Sequence, residues 1–129
     1  MDSLKPYNLT FEERPDYLYA KIEAESIDRP SALDYLSEVA RYCARIAAKR
    51  LMLHRDIPVM LSDADLFNTT TDFLEMIRGT RAAFVNPYQD LTEAFDFAMV
   101  VGLNRGADYK LFNTVEDAEQ WLLEGIDEE

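Results

Sequence analysis

The chain has 129 residues, of which 48% are hydrophobic, and its 25 acidic and 13 basic side chains give a formal net charge of −12. This length suffices for one core and is short for two domains, so we expect a single domain over 1–129, with its core over about 7–123 and an acidic tail over 124–129. Such negative charge repels phosphate backbones and anionic lipids, which argues against nucleic acid and membranes as partners.

Two absences in the sequence bear on where the protein resides. No run approaches the roughly 20 apolar residues of a membrane-spanning helix, and the first residues lack the basic start and apolar middle of a secretory signal. We therefore expect a cytoplasmic protein. The single cysteine, Cys43, cannot form an internal disulfide, and we expect it to be a small buried hydrophobic group on a helix.

The first third of the chain predicts a hairpin and a helix. Tyr7 to Glu12 alternates weakly before the turn signal Arg14-Pro15-Asp16. Tyr17 to Ser26 then alternates apolar and polar residues, which is typical of a strand with one exposed face, so we expect a sheet covered mainly on one side. The apolar residues of this alternation are Leu18, Ala20, Ile22 and Ala24.

The next stretch predicts a long helix that begins between Asp28 and Ser31, where Ser31 and Asp34 form an approximate capping box. Tyr35 and Tyr42 form a stripe beside the apolar face, which we interpret as helix packing. The residues with inward-facing helical spacing are Leu33, Leu36, Val39, Ala40, Cys43, Ile46 and Ala47.

The middle of the chain predicts a central strand, an irregular segment and a second helix. Leu51 to Leu53 is a continuous apolar run suited to burial on both faces, and it ends at His54-Arg55-Asp56. Thr69, Thr70 or Thr71 can cap the second helix, which ends at Arg78-Gly79. Between strand and helix lies an apolar cluster that we expect to pack on something, Ile57, Val59, Met60 and Leu61.

The last part completes an alternation of strands and helices. Arg81 to Asn86 predicts a strand, and Asp90 or Thr92 starts a largely buried helix that Asn104 to Gly106 closes. Tyr109 to Phe112 predicts the last strand, and Thr114, paired with Asp117, caps the last helix. We therefore predict an α/β fold of order ββαβαβαβα, with a mixed, mostly parallel sheet of about five strands and about four helices.

This order, with three local motifs, resembles the STAS-like (SpoIIAA-like) family. The motifs are the D-x-F at Asp65 to Phe67, the NRG at Asn104 to Gly106 and the F-N-T-x-E-D-A-E-x-W-L ending at Phe112 to Leu122. Related anti-sigma-factor antagonists are partner-switching proteins, controlled by phosphorylation at the start of the helix after the central strand. The corresponding candidates here are Ser62, Thr69, Thr70 and Thr71, although the family's D-S-[ST]-G sequence is absent.

A candidate ligand site lies at the predicted end of the central strand. His54 could exchange protons near neutral pH, and Arg55 could hold a carboxylate or phosphate through its planar fork. One histidine and no reactive cysteine disfavour a catalytic triad or a nitrogen-rich metal site. We therefore expect no enzyme activity, no metal and no cofactor. The predicted partner or ligand surface comprises His54, Arg55, Asp56, Ile57, Met60 and Leu61.

Two functions fit these features. The first is a regulatory or protein-interaction domain that uses the exposed parts of Ile57 to Thr71 and the adjoining helix. The second is a small-molecule or lipid-binding module with a pocket near residues 54–61. The solvent-exposed face of the second strand and the aromatic positions Tyr19 and Tyr88, which we expect to be exposed, also permit a homodimer.

Overall fold

A five-stranded mixed sheet organises the residues that the computed structural model describes, namely 7–59, 61–88 and 108–124. The strands lie in sequence order across the sheet, with β1 antiparallel to β2 and all other neighbours parallel. In chain order the elements are β1 (Asn8–Arg14), β2 (Tyr17–Glu23), α1 (Arg29–Ile46), β3 (Arg50–Asp56), α2 (Asp63–Met76), β4 (Arg81–Val85), β5 (Tyr109–Phe112) and α3 (Val115–Leu122). The predicted α/β class and mostly parallel sheet are confirmed.

The helix count differs from the prediction. The described elements follow the order ββαβαββα with three helices, whereas the sequence predicted four helices in the order ββαβαβαβα. The difference is the helix predicted from Asp90 or Thr92, which lies outside the described residues, as do the Asn104 to Gly106 motif and residues 125–129 of the acidic tail.

The hairpin follows the sequence signal at Arg14-Pro15-Asp16. Arg14 pairs with Tyr17, so a two-residue turn joins β1 to β2. The alternation predicted for β2 is confirmed on its apolar face, because Leu18, Ala20 and Ile22 are all fully buried. The parallel pairing of β2 with β3 then requires a crossover, which α1 provides.

Helix α1 begins earlier than the predicted capping box. The carboxylate of Asp28 accepts a hydrogen bond from the Ser31 amide at 2.9 Å, so Asp28 is the N-cap and Ser31 already lies in the first turn. The predicted Ser31 cap is therefore wrong. The helix buries Ala32, Tyr35, Leu36, Val39, Ala40 and Cys43.

The C-terminal end of α1 also departs from the predicted apolar face. Ile46 is exposed, and Ala47, also predicted to face inward, is exposed in the left-handed conformation that ends the helix. Tyr35, predicted to flank the apolar face, lies within it and is buried. Cys43 is buried as predicted, and burial raises the pKa of its thiol to about 11.

Helix α2 also begins earlier than predicted. Its N-cap is Ser62, whose hydroxyl accepts a hydrogen bond from the Asp65 amide at 3.3 Å. The threonines at 69–71 therefore lie inside the helix, and the prediction that one of them caps it is wrong. The helix ends at Met76, two residues before the predicted Arg78-Gly79, and Gly79 adopts a positive φ of 92° in the turn that follows, which favours glycine.

Both faces of the sheet carry apolar packing. Helices α1 and α2 cover one face and form the larger core. On the other face, Leu122 of α3 packs against Met52, Ala83 and Val85 from β3 and β4. The expectation that one face is largely uncovered is therefore wrong for this half of the sheet, because β3 and β4 are apolar on both sides.

Candidate functional site

Strand alternation separates the three residues predicted to form one polar group. His54, Arg55 and Asp56 all lie inside β3, beside Lys21, Ile22 and Glu23 of β2. Because successive side chains of a strand point to opposite faces, Arg55 lies on the face covered by α1 and α2, whereas His54 and Asp56 lie on the other. Two separate environments therefore replace the single predicted site.

Arg55 is a buried cation with backbone partners. Only 6% of the residue is exposed. Its Nη1 donates to the carbonyl of Ile57 at 3.0 Å, and its Nη2 donates to the carbonyl of Val59 at 2.7 Å. These bonds hold the turn after β3 against the strand that precedes it.

The Arg55 charge has no acidic partner in the described part of the chain, where no carboxylate forms an ion pair with it. Burial lowers the pKa of its guanidinium from the ordinary value. An arginine keeps its proton in proteins even so, because its ordinary pKa lies far above neutrality. The interior therefore holds a positive charge that the carbonyls of Ile57 and Val59 and the side chain of Tyr35 offset.

A cavity lies between the sheet and the two helices beside this cation. It has a volume of about 40 Å³ and is partly open to solvent, which gives space for roughly three water molecules. Its walls are mostly apolar, and the residues that line it include Tyr35, Leu53, Arg55, Leu66, Thr69 and Phe73. Phe84 lies edge to face with both Phe73 and Tyr109 and makes one wall rigid.

The second unusual polar group in this cavity is Thr69. The residue is 3% exposed, and its hydroxyl oxygen is buried without a hydrogen-bond partner. Thr70 is half-buried and also lines the cavity. Thr71 is half-buried on the same helix, whereas Ser62 is exposed at the start of that helix.

The predicted apolar segment after β3 divides between core and surface. Ile57 is fully buried, Leu61 is half-buried and lines the cavity, and Val59 is 49% exposed. Met60 lies outside the described residues. Of the six residues in the predicted surface, Arg55 and Leu61 are brought together at the cavity.

His54 and Asp56 have polar partners on the other face of the sheet. The Tyr19 hydroxyl and His54 Nδ1 are 2.8 Å apart, and Tyr88 donates its hydroxyl to Asp56 at 2.7 Å. Burial, with the nearby charge of Lys21, lowers the pKa of His54 below its ordinary value of 6.5. The imidazole is therefore neutral at pH 7.

Sequence reasoning did not place Tyr35, Thr69 and Phe73 in one site. The sequence does carry inward signals: Tyr35 lies four residues before the apolar Val39 on α1, and Thr69 lies four residues before Phe73 on α2. Periodicity alone does not show where α2 begins. If the helix is assumed to begin at Thr69, that threonine is a cap and is not expected to line a cavity.

Among the described residues, no group of three or more histidine, cysteine or acidic side chains could hold a metal ion. In the same part of the chain, no helix is long and apolar enough to cross a membrane. Comparison with known protein families finds none that matches this chain, and no curated protein matches it significantly. The resemblance to the STAS-like family therefore stays a prediction.

Proposed function

We propose that this chain is a non-catalytic module that binds a small molecule in the cavity between the sheet and helices α1 and α2. The observation that carries this proposal is an apolar cavity with few polar groups, Arg55 and Thr69, converging on it. Small-molecule sites in proteins have this composition, in which apolar walls provide affinity and a few polar groups fix orientation.

The lining supports binding more than catalysis. Among the described residues that line the cavity, Arg55 is the only charged side chain, and none is a carboxylate, histidine or cysteine. General acid–base and nucleophilic catalysis rely mainly on those groups. Arg55 is also fixed to two carbonyls, so it is suited to orienting a ligand.

Methyl NMR with a panel of small charged and uncharged molecules tests this proposal. We expect at least one chemical class to shift the signals of Leu53 and Leu66 in a saturable way. Ala32→Val adds volume at a position that lines the cavity and should weaken that binding, whereas Ala44→Leu on the exposed side of α1 should not. Equally tight binding by the Ala32→Val variant, or no chemical-shift change with any class of molecule, would contradict a ligand site in this cavity.

One observation favours a second function, that of a phosphorylation-controlled interaction domain. Ser62 is exposed and caps the helix that follows the central strand, which is the position where the resemblance to STAS-like proteins implies phosphorylation. Exposed Val59 lies just before it and offers apolar surface to a protein partner. A phosphate at Ser62 would meet the amides of the first helical turn.

Phosphopeptide mapping of the protein isolated from its native cell tests this second function. We expect phosphate on Ser62 and none on Thr69, because Thr69 is buried. Unmodified Ser62 under all growth conditions, or phosphate on Thr69 instead, would count against the proposal.

A further inference from the structure

A buried positive charge, the Arg55 guanidinium, lines the cavity. A guanidinium offers five N–H donors, and the carbonyls of Ile57 and Val59 account for two of them. A neutral amide could make those same two bonds without the cost of burying an ion. The turn after β3 and the Tyr35 side chain therefore explain the hydrogen bonds of Arg55 but not its charge.

Thr69 makes an independent second observation. Its hydroxyl lines the same cavity from α2, is buried and has no partner. Burying a hydroxyl without a hydrogen bond is unfavourable, and valine would fill the same space on the helix without that cost. The Thr69 hydroxyl would form a hydrogen bond when a ligand with an acceptor atom enters the cavity.

The charge and size of the cavity select the ligand class. Arg55 is the one charged side chain among the described residues that line the cavity, which matches a ligand with one negative charge, because a second charge would be buried without a partner. The net charge of −12 also repels multivalent anions more than monovalent ones. A volume of about 40 Å³ with a partly open mouth limits the ligand to a few heavy atoms, with a short tail against the apolar walls.

We propose that the ligand is a short-chain aliphatic monocarboxylate of about two to four carbon atoms, held by the Arg55 guanidinium and by a hydrogen bond from the Thr69 hydroxyl. This inference rests on the proposed small-molecule function. It adds the chemical class of the ligand and assigns Arg55 and Thr69 as the groups that recognise it.

Titration calorimetry with a matched pair of ligands tests the class. Propionate and propionamide have the same number of heavy atoms and differ in charge, and both are added in a carboxylate-free buffer at constant ionic strength. We expect propionate to bind at least about tenfold more tightly, since a hydrogen bond to a charged group is stronger than one to a neutral group. Inorganic phosphate should bind more weakly than propionate.

The outcomes separate this inference from the proposed function. Equal binding of propionate and propionamide would overturn the ligand class and leave a small-molecule site. Tighter binding of inorganic phosphate would also overturn it. Binding of neither organic ligand, with none from the wider panel, would contradict both proposals.

Substitutions assign the recognition to named groups. Thr69→Val should weaken propionate binding by about tenfold, whereas Thr71→Val on the same helix, which does not line the cavity, should leave it unchanged. Arg55→Gln should remove the preference for propionate over propionamide, a change that a purely structural role would not produce. If Arg55→Gln does not fold, the Thr69 and Thr71 pair decides, and unchanged propionate binding in Thr69→Val overturns the assignment.

Discussion

Thr69 carries a polar atom that the unliganded fold leaves without a bond. Its hydroxyl oxygen is buried beside the cavity, although neighbouring positions of α2 place Phe73 and Leu66 against apolar groups. A buried hydroxyl without a partner costs about 1–3 kcal/mol in proteins. The proposed ligand binding therefore favours a hydroxyl at position 69, whereas the stability of the unliganded fold favours an apolar side chain there.

We predict that Thr69→Val does not lower the free energy of unfolding of the unliganded protein and raises it by up to about 1 kcal/mol. Valine has similar volume and the same β-branching, so packing and helix propensity change little. Urea unfolding measures the difference, and Thr71→Val serves as the control because Thr71 is only half-buried. A loss above about 1 kcal/mol would show that the hydroxyl has a structural partner.

His54 links stability to pH through a lowered pKa. Burial and the charge of Lys21 disfavour its imidazolium in the folded state. As pH falls through 6.5, the unfolded chain therefore takes up the proton first. The contribution of neutral His54 to stability is present above that pH and is lost as pH falls toward the lower pKa of the folded state.

We predict that His54→Gln removes this dependence. The difference in free energy of unfolding between the natural protein and the variant should be constant from about pH 8 to about pH 7, and should shift against the natural protein toward about pH 5. His54 is the single histidine of the chain, so carboxylate titrations largely cancel in the difference. A difference that stays flat, or that favours the natural protein in acid, would contradict the lowered pKa.

At the scale of single residues, the sequence predicted Arg55 as an anion-binding group but not its surroundings. The reason is that β3 continues through Asp56, so the alternation of the strand, and not a loop, decides where each side chain points. Grouping Arg55 with His54 and Asp56 assumed that the strand had already ended.

At the scale of elements, the periodicity of the sequence predicted which helices and strands exist better than it predicted where they begin and end. β5 spans Tyr109–Phe112 as predicted, and Thr114 accepts a hydrogen bond from the Asp117 amide at 3.2 Å. The start of α1 between Asp28 and Ser31 is confirmed, whereas the start of α2 was placed too late, because several cap-forming residues precede its apolar run and tertiary packing chooses among them. Because Ser62 is the N-cap of α2, Thr69 lies inside the helix, and its side chain forms part of the cavity wall.

We predict that Ser62→Ala lowers the free energy of unfolding by about 1 kcal/mol, because the Asp65 amide loses its acceptor. Ser62→Asp should keep most of the stability, since aspartate is also a good N-cap and favours the positive end of the helix dipole. Urea unfolding of the three proteins makes the comparison. Unchanged stability in Ser62→Ala would show that Ser62 does not act as a cap.

At the scale of the whole molecule, helices on both faces of the sheet bury two apolar clusters. The sequence predicted the larger cluster from the periodicity of α1 and β2. It predicted a pocket near residues 54–61 but not its place between the sheet and the two helices, because that depends on how α1 and α2 approach the sheet, and no local pattern encodes that distance. Among the described residues of this acidic chain, Arg55 is the one buried cation, which is why we propose it as the place for an anion.

The measurement that tests this account most directly is an isotope-filtered nuclear Overhauser spectrum of labelled protein with unlabelled propionate. We expect contacts from the ligand protons to Leu53, Leu66 and Phe73, which line the cavity beside Arg55. Contacts confined to the opposite face of the sheet, near Tyr19 and His54, or no contacts at a saturating propionate concentration, would contradict it.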